Sequence, residues 1–145
     1  MHTVAIVDDD IRWCHAVERF FRNEFEVYTF PTASAFLNQL FDYDIVMVDY
    51  SIPPISSEEY IEGCQLIHHL KTNLRYPPIV VLVSGYVSKN DSEMGRKICP
   101  EADTFLAKDA GLEEILQQVK QLLVTKRKPS LPFSKSQKSI EDKDK

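Results

Sequence analysis

The chain has 145 residues, 43% hydrophobic and 27% charged, which is enough for a single globular domain with a substantial core. Three cysteines, Cys14, Cys64 and Cys99, form neither a CxxC pair nor a zinc spacing, which argues against a disulfide or zinc scaffold; a reduced, cytoplasmic setting is expected. The net charge of −5 divides unevenly, with 10 Lys and Arg against 19 Asp and Glu in residues 1–125 and 7 against 3 in residues 126–145, so the acidic body argues against duplex nucleic acid as its main partner.

In chain order, Thr3 to Val7 is a short apolar run ending in Asp8-Asp9-Asp10, the pattern of a buried strand with carboxylates at its carboxyl end. From Ile11 to Asn23 the spacing of Ile11, Cys14, Val17 and Phe21 predicts a helix, capped by Asp9 or Asp10. Phe25 to Phe30 is rich in strand formers. Thr32 then caps a helix with Ala35, Phe36 and Leu40 inward. Ile45-Val46-Met47-Val48 reads as a strand buried on both faces. Asp49 ends it, ahead of a loop stiffened by Pro53 and Pro54, and a helix with Leu66, Ile67 and Leu70 inward runs to about Asn73. Ile79 to Val83 is the most strand-like run and stops at Ser84-Gly85; a weaker helix follows over residues 89–98. Thr104 to Ala107 is a last short strand before Lys108, and residues 111–123 form an amphipathic helix.

The alternation of strand and helix implies an α/β fold: a doubly wound, five-stranded parallel sheet with helices on both faces. Residues 126–145 are rich in Lys, Ser, Pro and Asp, with few large apolar residues, and are expected to be a disordered basic tail or linker beyond a 1–125 domain. The N-terminus lacks the flank and cleavage site of a leader, and no stretch reaches membrane-spanning length; no membrane partner is expected.

Polar residues of particular types stand at four strand ends: Asp8 and Asp9, Asp49, Ser84 and Lys108. Taken alone, Asp49 is equally well read as a loop or helix-capping residue. A doubly wound sheet, however, gathers the carboxyl ends of its strands at one edge, where ligands bind. Carboxylates crowded there raise one another's proton affinity, and a divalent cation with an all-oxygen set, Mg²⁺, relieves the repulsion. An ammonium and a hydroxyl beside that cation can neutralise and orient a transferring phosphoryl group, leaving a carboxylate as nucleophile.

These four motifs, in this order, resemble the response-regulator receiver domain, a flavodoxin-like fold of strand order 2-1-3-4-5, over about residues 2–124. The resemblance rests on Val7-Asp8-Asp9-Asp10, on Asp49 with its Pro-containing loop, on Ser84-Gly85, and on Phe105-Leu106-Ala107-Lys108. It implies Asp49 as phosphoacceptor, Asp9 as direct Mg²⁺ ligand, Asp8 acting through water, and the Ser51 backbone carbonyl as a further ligand. Ser84 would be the switch hydroxyl, Lys108 the phosphate-binding lysine, and Phe105 the switch aromatic, whose turning reshapes the surface of the fourth helix, fifth strand and fifth helix. The implied partners are a histidine kinase or phosphotransfer protein and a downstream protein target, with a phosphorylation-dependent dimer left open. No helix-turn-helix or other DNA reader follows residue 125, so output by protein–protein contact is expected, as in chemotaxis-type single receivers, unless the chain is cut from a larger protein.

Two features depart from the family pattern. Residues 56–62 look like an insertion before the pattern resumes at Gly63. Lys108 is followed by Asp109 where the family has proline in a commonly cis bond. A cis non-proline bond costs about 3–4 kcal/mol, so a trans bond and a reoriented Lys108 tip are expected.

The competing enzyme reading is a phosphatase resembling the haloacid-dehalogenase type, with Asp8 as nucleophile and Asp10 as acid/base; it leaves Asp49 idle. A third reading is an unphosphorylated interaction module. Tyr86 could cover the site or be a plain surface aromatic. His68 and His69 point about 100° apart on a helix, which argues against joint metal binding. Trp13 and Phe20 read as core or helix-face residues, and Cys64 and Cys99 as buried small hydrophobes. Pro129 to Pro132 fits PxxP only weakly, and residues 126–128 fit a helix C-terminal charge better than a nucleic-acid patch.

Overall fold

The computed structural model describes residues 1–39, 42–50, 63–85, 97 and 99–125. Five strands form it: β1 (His2–Val7), β2 (Phe25–Phe30), β3 (Ile45–Asp49), β4 (Ile79–Ser84) and β5 (Thr104–Ala107). They pair in the order β2-β1-β3-β4-β5, and every pairing is parallel. The helices are α1 (Ile11–Phe21), α2 (Ala33–Leu37), α3 (Gly63–Asn73) and α4 (Leu112–Thr125), with a 3₁₀ turn at Lys108–Ala110.

Strand periodicity decides which side chains meet which helices. Val4 and Ile6 of β1, Ile45 and Met47 of β3, and Val81 and Val83 of β4 pack with Cys14, Val17 and Phe21 of α1 and with Ile115, Val119 and Leu122 of α4. The alternate residues, Ala5, Val7, Val46, Val48, Val80 and Leu82, face Phe36 of α2 and Leu66, Ile67 and Leu70 of α3. The sheet is therefore covered on both sides, as its continuous apolar strands require. On the second side Phe30, Phe36 and Tyr43 form an aromatic cluster, with ring centroids 5.5 Å apart for Phe30–Phe36 and 5.7 Å for Phe36–Tyr43. The Tyr43 hydroxyl, carried into this apolar layer, donates to the Gln39 carbonyl at 2.9 Å, so its burial leaves no unmet donor.

Both predicted caps form. Asp10 Oδ1 accepts from the Trp13 amide at 3.1 Å, and Thr32 Oγ1 accepts from the Ala35 amide at 3.0 Å. Asp103 ties β4 to the approach of β5, accepting from the Val80 amide at 2.7 Å and from Lys71 Nζ at 2.8 Å.

Some predicted positions shift. Ile11, the first residue of α1, is 59% exposed, and the buried face of the helix begins at Cys14. Helix α1 ends at Phe21, not Asn23. In α2 Ala33 is buried with Phe36, while Ala35 is only half-buried. Cys99 is buried as expected and Cys64 only half-buried. His68 and His69 separate as anticipated: His68 Nδ1 pairs with Glu101 at 2.8 Å, and His69 meets Asn73. Leu40, Tyr86, the 56–62 insertion, the bulk of the predicted 89–98 helix and the 126–145 tail lie outside the described residues.

Phe36→Ala should lower the unfolding free energy by about 3–5 kcal/mol, because it empties the centre of the aromatic cluster. Ile11→Ala, by contrast, should change it by no more than about 0.5 kcal/mol. Urea titrations of both variants followed by circular dichroism check the pair.

Candidate functional site

The central strands deliver the site residues to one edge. Asp8 directly follows β1, and its amide donates to the Phe30 carbonyl at 2.9 Å, extending the ladder to β2 by one residue. Asp49 and Ser84 are the last residues of β3 and β4. Lys108 directly follows β5. The in-phase register, Val7 with Val48, Asp49 with Val83 and Ser84 with Ala107, leaves Asp8, Asp49, Ser84 and Lys108 along one rim.

Asp8, Asp49 and Ser84 are the buried polar residues among those described, at 1%, 7% and 1% exposure. Asp9 is exposed, and one carboxylate oxygen from each of Asp8, Asp9 and Asp49 lies within 4.8 Å of the others. Lys108 Nζ sits 2.8 Å from Asp8 Oδ2 and 3.8 Å from Asp49 Oδ1. The closer contact is an ion pair without hydrogen-bond alignment, so Asp8 Oδ2 is buried with no hydrogen-bond partner. Its other oxygen accepts from the Asp10 amide at 2.9 Å.

Burial raises the pKa of Asp8 above its ordinary value, outweighing the opposing effects of Lys108 and the Asp10 amide. For Lys108, burial works against the ammonium, but Asp8 above all, with Asp49 and Asp10, outweighs it and holds the pKa above its ordinary value. The Cys14 thiol, which donates to the Asp8 carbonyl at 3.4 Å, is pushed up to about 12 by burial and the neighbouring Asp8 charge. It is therefore a protonated packing group rather than a nucleophile.

The structure thus brings together Asp8, Asp9, Asp49 and Lys108, with Ser84 buried at the adjacent strand end. Phe105 lies one strand outward, paired with Leu82, half-buried against the layer that holds α2 and α3. Ser51 lies outside the described residues. The Lys108–Asp109 bond is trans, as expected, and the Lys108 ammonium lies over the carboxylates, 2.8 Å from Asp8 and 3.8 Å from Asp49. Asp10, required as acid/base by the phosphatase reading, is turned to cap α1 and stands outside the cluster of three.

Two contributors were not read from the sequence. Gly63 opens α3 against the end of β3, its amide donating to the Tyr50 carbonyl at 3.3 Å. A Cβ there would collide with the Asp49 carbonyl oxygen and lie 3.0 Å from Tyr50 Cα. Trp13, read as a core or helix-face residue, does pack on the core, but it also places its ring 4.7 Å from Lys108 Nζ.

A model of the response regulator receiver domain matches residues 4–120. The chain belongs to the response regulator receiver domain family. Its function class is accordingly two-component signalling, in which receiver domains work with histidine kinases or phosphotransfer proteins. Among curated relatives, this receiver domain is 26% identical over 119 residues to the cell cycle response regulator CtrA of Brucella ovis, a match covering 80% of the chain and 47% of CtrA. It thus spans about half the length of the curated relatives it matches. It also resembles the BeF3-activated receiver domain of DrrB, with TM-score 0.70 and 25% identity over 85% of this chain and 97% of that one. TrrA of Thermotoga maritima, solved in complex with Mg²⁺-BeF, shares the fold, with TM-score 0.67 and 20% identity over 85% of this chain and all of that one. No helix among the described residues is long and apolar enough to cross a membrane.

Gly63→Ala should cost about 1–3 kcal/mol of stability through overpacking against the β3 backbone. Because the pressure falls on Asp49, chemical shifts of residues 8, 9 and 49 should move along with the lowered Tm. A Tm loss with those resonances unmoved would show that α3 yields without disturbing the site.

Proposed function

We propose that this receiver domain accepts a phosphoryl group on Asp49 from a histidine kinase or phosphotransfer protein, and that the modified state is read by a downstream protein. The observation that carries the proposal is the meeting of a buried Asp49, a second buried carboxylate and one ammonium at a single strand-end rim. A carboxylate oxygen of Asp49 forms the new P–O bond while the P–N bond of phosphohistidine breaks, and the departing imidazole takes up a proton. With acetyl phosphate as donor the acyl P–O bond breaks instead, and acetate leaves. Lys108, adjacent to Asp49, counters the charge on the phosphoryl oxygens and holds them oriented. The Ser84 hydroxyl at the next strand end is assigned to the same group, and Phe105 to the change of surface that follows.

The donor set fits a hard divalent cation. Its ligands are all oxygen, two of the three carboxylates are buried, and their oxygens lie within 4.8 Å of one another. Asp9 and Asp49, with Asp8 behind them and the Ser51 carbonyl as a further candidate, would hold Mg²⁺. When bound, Mg²⁺ supplies positive charge that relieves the carboxylates and neutralises phosphoryl oxygens. The likeness to the DrrB receiver domain, solved in a BeF3-activated form, supports an activated state of this domain. Residues 1–125 are proposed as the receiver unit, cytoplasmic and not an enzyme acting on a separate substrate, with 126–145 a linker or docking segment. No direct contact of this chain with DNA is proposed.

Incubation with Mg²⁺ and ³²P-acetyl phosphate should label the wild type with one phosphoryl group and leave Asp49→Asn unlabelled. Label retained in Asp49→Asn but lost in Asp8→Asn would instead favour the phosphatase chemistry. Asp9→Ala should weaken Mg²⁺ binding, measured by calorimetry, by at least about tenfold, since it removes a charged ligand; an unchanged affinity would remove Asp9 from the metal site. Deleting residues 126–145 should leave Tm nearly unchanged, whereas a large drop would show that the tail packs on the domain.

A further inference from the structure

We propose that Trp13 is a positioning residue for phosphoryl transfer, its indole face holding the Lys108 ammonium at Asp8 and Asp49. The proposal rests on the phosphoacceptor reading and adds to it a residue that the carboxylate chemistry does not require. A lysine ammonium sits on a flexible stem and can be drawn toward any nearby anion. At this rim those anions include the exposed Asp9 and Asp10 as well as the two buried carboxylates. Lys108 Nζ lies 2.8 Å from Asp8, 3.8 Å from Asp49 and 4.7 Å from the Trp13 ring centroid. Its side chain is 18% exposed, and partial desolvation strengthens attraction to a ring face.

The backbone that carries the ring is itself held in place. The Trp13 amide donates to Asp10 Oδ1 at 3.1 Å, and the Asp10 amide donates to Asp8 Oδ1 at 2.9 Å. Asp8 Oδ2 then pairs with Lys108, which returns to Trp13. The contacts close a circuit of four residues, each fixing the next, while the half-buried indole also packs against the core layer of α1 and α4. The same cap that starts α1 therefore sets where the lysine of β5 can rest.

The test compares acetyl phosphate labelling rates of the wild type, Trp13→Leu and Trp13→Phe, each also in the Lys108→Ala background. Trp13→Leu should lower the second-order rate constant about two- to thirtyfold, the range expected for a lost cation–π contact, and Trp13→Phe should restore most of it. In the Lys108→Ala background the same substitutions should cost nothing further. In metal-free, donor-free protein, the Lys108 Hε resonances should show a ring-current shift that Trp13→Leu abolishes. Should Trp13→Leu fail to fold, tetrafluorotryptophan at position 13 keeps the ring's shape, weakens its negative face and should slow labelling in the same Lys108-dependent way. Equal losses with and without Lys108, or no ring-current shift, would overturn the proposal. A shift present in wild-type protein that takes no label would instead remove the phosphoacceptor reading and with it the transfer role, while the Trp13–Lys108 contact stands.

Discussion

Two carboxylates are forced together and out of water by the order of the sheet. Because β1 and β3 are adjacent, parallel and in phase, Asp8 and Asp49 emerge side by side at their ends. Helices on both faces leave little solvent to share the charge. Burial raises the pKa of Asp8, and the nearest compensation is a single ammonium carried in from β5. Three carboxylates, two of them buried, thus bring their oxygens within 4.8 Å of one another beside the Lys108 ammonium. That crowding of negative charge is the physical basis for proposing a divalent ion, and then a phosphoryl group, at this rim.

The remaining architecture keeps those few groups in register. The alternating faces of β1, β3 and β4 anchor helices above and below the sheet, so the strand ends cannot slide without exposing an entire core face. Asp103, bonded to both Lys71 and Val80, fixes the chain as it approaches β5 and so fixes where Lys108 begins. Gly63 lets α3 start directly against the Asp49 backbone. At the opposite end of β1, Asp44 Oδ2 accepts from the Thr3 amide and hydroxyl at 2.8 and 3.2 Å, locking β3 to β1 away from the site. Phe105, half-buried and paired with Leu82, packs against the layer that holds α2 and α3.

The sheet was legible in the sequence because its signal is strong and local. Runs such as Ile79 to Val83 have few other homes, and the helical spacing of Leu66, Ile67 and Leu70 or of Ile115, Val119 and Leu122 leaves little choice of face. The cluster of Asp8, Asp9, Asp49 and Lys108 was legible because parallel strands convert sequence position at a strand end into spatial position on one rim. Contacts between elements far apart in the chain were not legible. Nothing in the spacing of Trp13 and Lys108 says that an indole meets an ammonium, and nothing about Gly63 says that its missing Cβ admits the Asp49 carbonyl. Ile11 misled because helical periodicity describes direction around the axis and not depth along it. The trans bond to Asp109 was legible from the missing proline, but the distances of the Lys108 ammonium from Asp8 and Asp49 were not.

The central claim is that a phosphoryl group is carried on Asp49 as a mixed anhydride. Borohydride reduces such an acyl phosphate to an alcohol, converting the modified aspartate to homoserine, which mass spectrometry of peptides can locate. After reaction with acetyl phosphate and Mg²⁺, homoserine should be found at position 49 and at neither position 8 nor position 9. Homoserine at position 8, or none anywhere in protein that has demonstrably taken up phosphate, would contradict it.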